Sequence, residues 1–537
     1  MKNSIKYLSI VLLVAISSCS DYIDLNSESN IIAENYYSNY TELQTGLTAC
    51  YNGLQKPLSD EWSLTELRSD NTVMDGGTST STPNLDLAFL DQFYPPTTHQ
   101  GLYKYWLNTY NNIKNTNTVL NAAGANYNPT TGIIEYESVS IDATADQCKK
   151  IAAEASFIRA YHYFNLVRLY GRVFLIDEPI TPEQAKTINR SSVTDNYKLI
   201  EADLLNAITN GNVAAFTANS VDLGHANVWA AKALLAKVYL TLNRKAEAAT
   251  LLNSIISSGG YSLQDTYESV FSVNNEMNSE ILFAIRFKGG GLGMGNPLSN
   301  LFAPTNSGNA IINGDGKGYN TPVLEITKPG SNNPSSPNYY VNNIDPSAVR
   351  KGVNIGLYGT SDFYVKKYIS PTVLANDSEN DWPVIRYADV LLMKAEADGN
   401  STASIDIINR IRTRALIPLL PTTATLAVFE KALADERRWE FAFENQRWFD
   451  ILRFSTTMSS LSASTDPFPG LKLQGAEYIM KKHFTNMYRK IYSSFNVLPV
   501  TLTELQSNAN VDRFLLPIPQ YEIDTNSFLT IPQNPGY

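Results

Sequence analysis

Through most of this chain apolar side chains recur every third or fourth position, the spacing of helices with one or more buried faces. Asn39–Leu54 puts Leu43, Gly46, Leu47, Cys50 and Leu54 on one face and predicts a first helix. Tyr103, Trp106, Tyr110, Ile113 and Asn117 predict a second. Ile151–Tyr170 predicts a third, mixing Ala152, Ala155 and Ala160 with Tyr163, Leu166 and Tyr170 as closely packed helix pairs require, and Gly171 stops it. Val193–Ile208 is again amphipathic. The clearest unit is Ala226–Ile256, where Ala230, Ala231, Ala233, Leu235, Ala236, Tyr239 and Leu240 form one helix, Asn243-Arg244 a turn, and Ala246, Ala249, Leu252 and Ile255 the next. This is the tetratricopeptide pattern, in which each helix pair buries one face within itself and another on its neighbour. Val384–Ala397 with Ile405–Ala415 supplies a further pair. The expected fold is mostly α: a tetratricopeptide-like superhelix of about four helix pairs, interrupted by insertions that make an irregular, loop-rich, ligand-facing subdomain.

Two stretches break the helical period. Residues 71–100 are rich in Gly, Ser, Thr and Pro yet carry Phe89, Phe93 and Tyr94, and residues 287–382 are dense in Asn, Ser, Pro and Tyr. Long loops inside a compact protein are commonly functional. The second insertion follows Glu280–Phe287, which alternates as a strand does. Its glycine run, Gly289–Gly295, has neither the Gly-Lys-Ser/Thr ending nor the strand-to-helix setting of a phosphate cradle, and reads as a flexible loop. Asn313–Gly318 lacks the acidic spacing of a calcium loop and reads as a polar turn. Residues 130–140 form a short insertion.

Asp435–Phe454 reads as one helix covered on most of its circumference, because Phe441, Trp448 and Leu452 fall on one side and Trp439 and Phe443 on another. Glu436, Glu440 and Glu444 would stack in a row, so buried cations are required, with Arg447, Arg410 and Arg414 as candidates. The run Glu436-Arg437-Arg438, Glu440, Glu444, Gln446-Arg447-Trp448-Phe449-Asp450 and Arg453 resembles the C-terminal signature helix of the SusD/RagB family. Glu154–Gly171, Asp381–Ala397 and the ending Leu516-Pro517-Ile518-Pro519 to Tyr537 are similar to further family motifs, although Phe174 stands where a proline is usual. The resemblance implies a lipid-anchored binding protein on the outer surface of a Gram-negative cell, working as a lid on a SusC-like TonB-dependent transporter barrel.

The N-terminus agrees. Lys2 and Lys6 precede the apolar Leu8–Ile16, and Ile16-Ser17-Ser18-Cys19 reads as a lipobox. Residues 1–18 are thus expected to be a lipoprotein signal, with residues 19–537 a single domain anchored to the outer membrane through acyl chains on Cys19. Of the other cysteines, Cys50 and Cys148, a disulfide and two buried thiols are both compatible with the sequence.

Composition narrows the chemistry. A net charge of −10 without a Lys/Arg block speaks against nucleic acid. The four histidines are scattered singly, with no HExxH, Cys/His cluster or Gly-x-Ser-x-Gly elbow, so no catalytic residue, metal ligand or cofactor is assigned. The expected activity is capture of oligosaccharides, or else peptides, and their release to the transporter; a surface glycoside hydrolase and a plain tetratricopeptide adaptor are the rivals. The ligand site is expected where residues 71–100 meet residues 287–382. Phe93, Tyr94, Tyr319, Tyr339 and Tyr340 would be platforms for sugar faces, with Asn71, Asp75, Asn320 and Asn342 supplying hydrogen bonds and Trp62 and Tyr358–Tyr364 in reserve.

Overall fold

The computed structural model describes residues 37–74, 83–218, 220–323, 345–458, 474–488, 491–494, 500–526 and 528–537. Four helix pairs follow one another: Tyr40–Asn52 with Gln100–Ala122, Ala145–Tyr170 with Val193–Asn210, Val228–Thr241 with Lys245–Ser258, and Tyr387–Asp398 with Thr402–Arg414. Each pair also packs on the next, so a continuous core runs through the stack, as the repeat pattern predicts. The helices begin where side chains satisfy the free N–H groups of the first turn. Asn39, Thr144, Ser192, Asn227 and Ser401 all accept such bonds, and Thr144 with Gln147 completes a reciprocal capping box. Gly171, at φ 70°, ends the longest helix in a conformation that glycine adopts without a Cβ clash. Ala152, Ala155, Ala160, Ala230, Ala231, Ala233 and Ala236 are buried, and their small size lets the helix axes approach. Arg159, equally buried, pairs with Asp203 at 2.8 Å and donates to Asn117 Oδ1 at 2.9 Å, linking three helices of the stack.

The second insertion is held at its base by an antiparallel strand pair, Ile281–Ile285 with Trp382–Arg386. The first of these is the strand expected from alternation. The second replaces the start of the helix expected over Val384–Ala397, which begins instead at Tyr387. The region 71–100 is not all loop either, since Asn84–Asp91 is helical, and residues 125–136 form a β-hairpin. Thr72–Val73 pairs with Thr321–Pro322, which brings the two insertions together. Cys50 and Cys148 are free and buried. Tyr339, Tyr340, Asn342, Asp75 and Cys19 lie outside the described residues. Among the described residues no helix is long and apolar enough to cross a membrane.

Asp435–Phe454 is not one helix. Leu426–Glu440 ends, residues 441–446 turn, and Arg447–Thr457 starts a second helix. Phe443 (φ 67°) and Asn445 (φ 58°) adopt left-handed conformations that a helix excludes. Tertiary contacts hold them there: the Phe443 N–H donates to Glu66 at 2.9 Å, Asn445 Nδ2 donates to Glu61 at 3.3 Å, and the Phe441 and Phe443 rings are both buried in the core. The break also rearranges the charges. Glu436 receives Arg350 (2.6 Å) and Arg412 (2.9 Å); Glu440 receives Arg414 (2.5 Å), Arg386 (3.2 Å) and Arg350 (3.4 Å); Glu444 receives Lys367 (2.8 Å) and Arg386 (2.9 Å). Of the cations expected, only Arg414 takes this role. Arg447 turns to Asp70 at 2.6 Å because it starts the second helix, and Arg410 points to solvent.

Burial works to raise the Glu440 carboxyl, but Arg414, Arg386 and Arg350 around it hold it below the ordinary carboxylate range. Glu440→Ala removes the partner shared by three buried arginines. It is expected to cost about 3–5 kcal/mol, read as a lowered midpoint in chemical denaturation; an unchanged midpoint would mean that these charges are solvated in solution.

Candidate functional site

Where the two insertions meet, a cavity of about 380 Å³ opens between three helices and the second insertion. That volume is within the roughly 300–1,000 Å³ usual for small-molecule sites. Gln55–Thr65 contributes Ser59, Asp60, Trp62 and Ser63; Asn84–Asp91 contributes Asp86, Leu87 and Leu90; Gln100–Ala122 contributes Gln100, Gly101 and Lys104. Leu301 and Tyr319 come from the insertion. Its aromatic wall is a near-parallel pair, Trp62 and Tyr319, with centroids 6.2 Å apart and planes 17° from parallel, and Phe302 meets Trp62 edge-on at 5.5 Å. Both rings are fixed by their polar ends, since Trp62 Nε1 donates to the Ser59 carbonyl (3.1 Å) and Tyr319 Oη to Asn84 Oδ1 (2.8 Å). Trp62 is 3% and Tyr319 8% exposed, so each is largely packed into the core and presents only part of its ring to the cavity it lines. Such a wall, with hydroxyl, amide and carboxylate groups around it, suits a ligand with apolar faces and polar edges.

The expected site residues separate. Tyr319 lines the cavity, as does Trp62 from the reserve. Phe93 does not: it is fully buried at φ 57°, packed edge-on against Trp448 (5.3 Å), Phe484 (6.0 Å) and Phe514 (6.2 Å) with the Arg68 guanidinium over its ring. Its ring is part of the core and has no face left for a ligand. Asn71 is buried too, donating to Glu66 (2.8 Å) and accepting from Arg438 (2.9 Å), so its hydrogen-bonding groups serve the fold. Tyr94 is 52% exposed but lies outside the cavity, with Arg513 over its ring at 4.5 Å. Asn320 is buried beside Tyr319 with a left-handed backbone, and its Oδ1 is unpaired among the described residues. The glycine run is occupied by its own chain, because the N–H groups of Gly290 and Gly291 donate to Asp377 at 2.7 and 2.8 Å.

Sequence reasoning missed Asp60, Asp86, Gln100 and Lys104. The only signal was position, on the polar edges of helices whose apolar faces dominate their pattern. His99, also in the wall, accepts from the Leu102 N–H (3.2 Å) and lies 2.9 Å from the Asp86 carbonyl; burial lowers its pKa and it stays neutral. Among the described residues no group of three or more His, Cys, Asp or Glu converges to hold a metal ion.

Residues 310–537 match the profile described as "SusD family", and residues 21–240 match one described as "Starch-binding associating with outer membrane". Among curated proteins, SusD-like protein P25 of Formosa agariphila is 24% identical over 95% of this chain and 97% of its own length. Among solved structures, a "Laminarin binding SusD-like protein" superposes with a TM-score of 0.69 at 23% identity, covering 93% of this chain and all of that one. Surface glycan-binding protein A from Bacteroides thetaiotaomicron, solved in complex with laminarihexaose, superposes with a TM-score of 0.65 at 19% identity, covering 92% of this chain and 99% of that one.

Moving Phe93 from the site to the core has a measurable consequence. Phe93→Ala is expected to lose about 3–5 kcal/mol of stability, as large aromatic deletions from cores do, whereas Tyr94→Ala stays within about 0.5 kcal/mol of the parent. Equal denaturation midpoints for the two variants would return Phe93 to the surface.

Proposed function

The chain belongs to the SusD/RagB family, and from that premise we propose that it captures oligosaccharides at the cell surface and hands them, chemically unchanged, to a TonB-dependent transporter in the outer membrane. The observation that carries the ligand class is the cavity wall of Trp62 stacked near Tyr319. A pyranose ring has an apolar C–H face and a polar rim, and flat rings beside carboxylates and amides complement both. The solved relatives named for laminarin and laminarihexaose support the same class. Anchoring through Cys19 and partnership with a SusC-like barrel follow from the lipobox and the family. Hand-over needs release, so affinity is expected in the micromolar to millimolar range, roughly −8 to −4 kcal/mol.

Calorimetric titration with a panel of oligosaccharides tests the capture reading. Trp62→Ala and Tyr319→Ala, checked for native circular dichroism, are expected to weaken binding by about threefold to tenfold each, the worth of one aromatic contact. Wild-type affinity in both variants would place the ligand elsewhere, and release of shortened sugars from the panel would make the protein a hydrolase.

Cys19→Ala is expected to move the protein from the outer-membrane fraction to a soluble one, because stable anchoring rests on the acyl chains of that residue. Purification of the parent in mild detergent is expected to bring down a β-barrel partner. Recovery of the protein always alone would count against hand-over to a transporter.

A further inference from the structure

The aromatic wall of the cavity is neutral, but its rim is charged, and these charges are not used to hold the fold. Asp60, Asp86 and Lys104 reach the rim from three different helices. Among the described residues no hydrogen bond or salt bridge engages any of the three side chains; Asp60 has only the field of Lys104. This sets them apart from the other acids of the region. Asp91 is bonded by the Met74 N–H and by Tyr492, and Asp70 is paired with Arg447. Those carboxylates are held by cations or hydrogen-bond donors, as is Glu66 by Asn71 and the Phe443 N–H, whereas among the described residues the cavity lining keeps two carboxylates without such partners against one ammonium. His99 adds no positive charge, since it is held neutral in the wall.

Such a rim treats two kinds of sugar differently. Hydroxyl groups donate to a carboxylate, and hydrogen bonds to an ionised acceptor are roughly twice as strong as neutral ones. A uronate carboxylate or a sulfate ester brings a like charge into a partly desolvated space, where repulsion is less screened than in water. Building on the glycan-capture reading, we propose that this cavity selects neutral glycans over uronate- or sulfate-bearing ones, with Asp60 as the residue that discriminates. Burial pushes the Asp60 carboxyl up to about 6, so at pH 7.5 it is ionised and ready to accept. Lys104 balances only one of the two acids, and among the described residues the cavity lining holds no second cation.

Native gels cast with neutral polymers (laminarin, starch, galactomannan) or acidic ones (alginate, polygalacturonate, carrageenan) at pH 7.5 read this directly. The full-length protein is expected to be retarded by at least one neutral polymer and by none of the acidic ones. Asp60→Asn is expected to weaken the neutral interaction at least fivefold and to narrow the neutral-to-acidic ratio, and Asp86→Asn gives an independent reading of the same kind. Retardation by an acidic polymer as strong as by any neutral one overturns the selectivity while leaving glycan capture standing. Neutral binding that survives both substitutions undiminished overturns the role of the acidic rim. No retardation by any polymer overturns glycan capture itself, and the selectivity with it.

Discussion

The architecture depends on a buried net of charge. Five carboxylates, Glu280, Asp345, Glu436, Glu440 and Glu444, face five cations, Arg350, Lys367, Arg386, Arg412 and Arg414, and all of these side chains are buried or nearly so. The members come from both parts of the molecule. Asp345, Arg350 and Lys367 belong to the second insertion, Arg386 to the strand at its base, and Arg412, Arg414, Glu436 and Glu440 to scaffold helices. Removing ten such groups from water is expensive, and a well-packed apolar replacement of the same shape would be no less stable. What the ions supply is direction: Arg386 alone donates to Glu280, Glu440 and Glu444 and to the Glu440 carbonyl, so the insertion has one seating on the scaffold in which all its bonds close. Each partner then depends on the others, and loss of one leaves a buried charge unmatched.

The cavity is set by that seating. Its wall is shared between scaffold-side helices, which carry Trp62, and the insertion, which carries Tyr319, and the strand pair Thr72–Val73 with Thr321–Pro322 closes the seam beside it. A second clamp lies behind the first insertion, where the Arg68 guanidinium packs against both Phe93 and Trp448, which also touch each other, and donates to the Arg513 and Phe514 carbonyls. The aromatic residues of residues 71–100 are thereby divided in purpose, with Phe93 fastening the segment down while the helix Asn84–Asp91 presents its rim to the cavity.

The scaffold was legible because its signals are local. Small residues at helical spacing, capping side chains and Gly171 each specify their own few residues, and the four helix pairs follow from them. The break at residues 441–446 was not, because it has no local cause: Phe443 and Asn445 are held left-handed by contacts with Glu66 and with distant core residues, and no glycine announces them. The partners of Glu440 were equally hidden, since Arg350 and Arg386 stand 90 and 54 residues away. The meeting of the two insertions was anticipated, but aromatic density does not distinguish a ring that packs inward from one that lines a cavity. Hence Phe93 and Asn71 were expected in the site and belong to the fold, while Asp60, Asp86 and Lys104 were passed over as ordinary helix edges.

The rigidity of the wall bears on how tightly such a site should hold its ligand. Trp62 and Tyr319 are pinned at both ends, by packing and by hydrogen bonds to Ser59 and Asn84, so under the proposed function a sugar laid against them would not have to order them. Immobilising a free side chain on binding would cost about 0.5–1.5 kcal/mol each, and that cost is already met by folding. Preorganisation makes even a small contact effective, while the modest area of a 380 Å³ cavity limits how much affinity can accumulate. In the proposed capture, selectivity would come from complementarity at a fixed rim, and release would need no conformational work by the wall itself. A binder that must pass its cargo on is better served by these two properties than by a closing pocket, whose reopening would limit the rate of transfer.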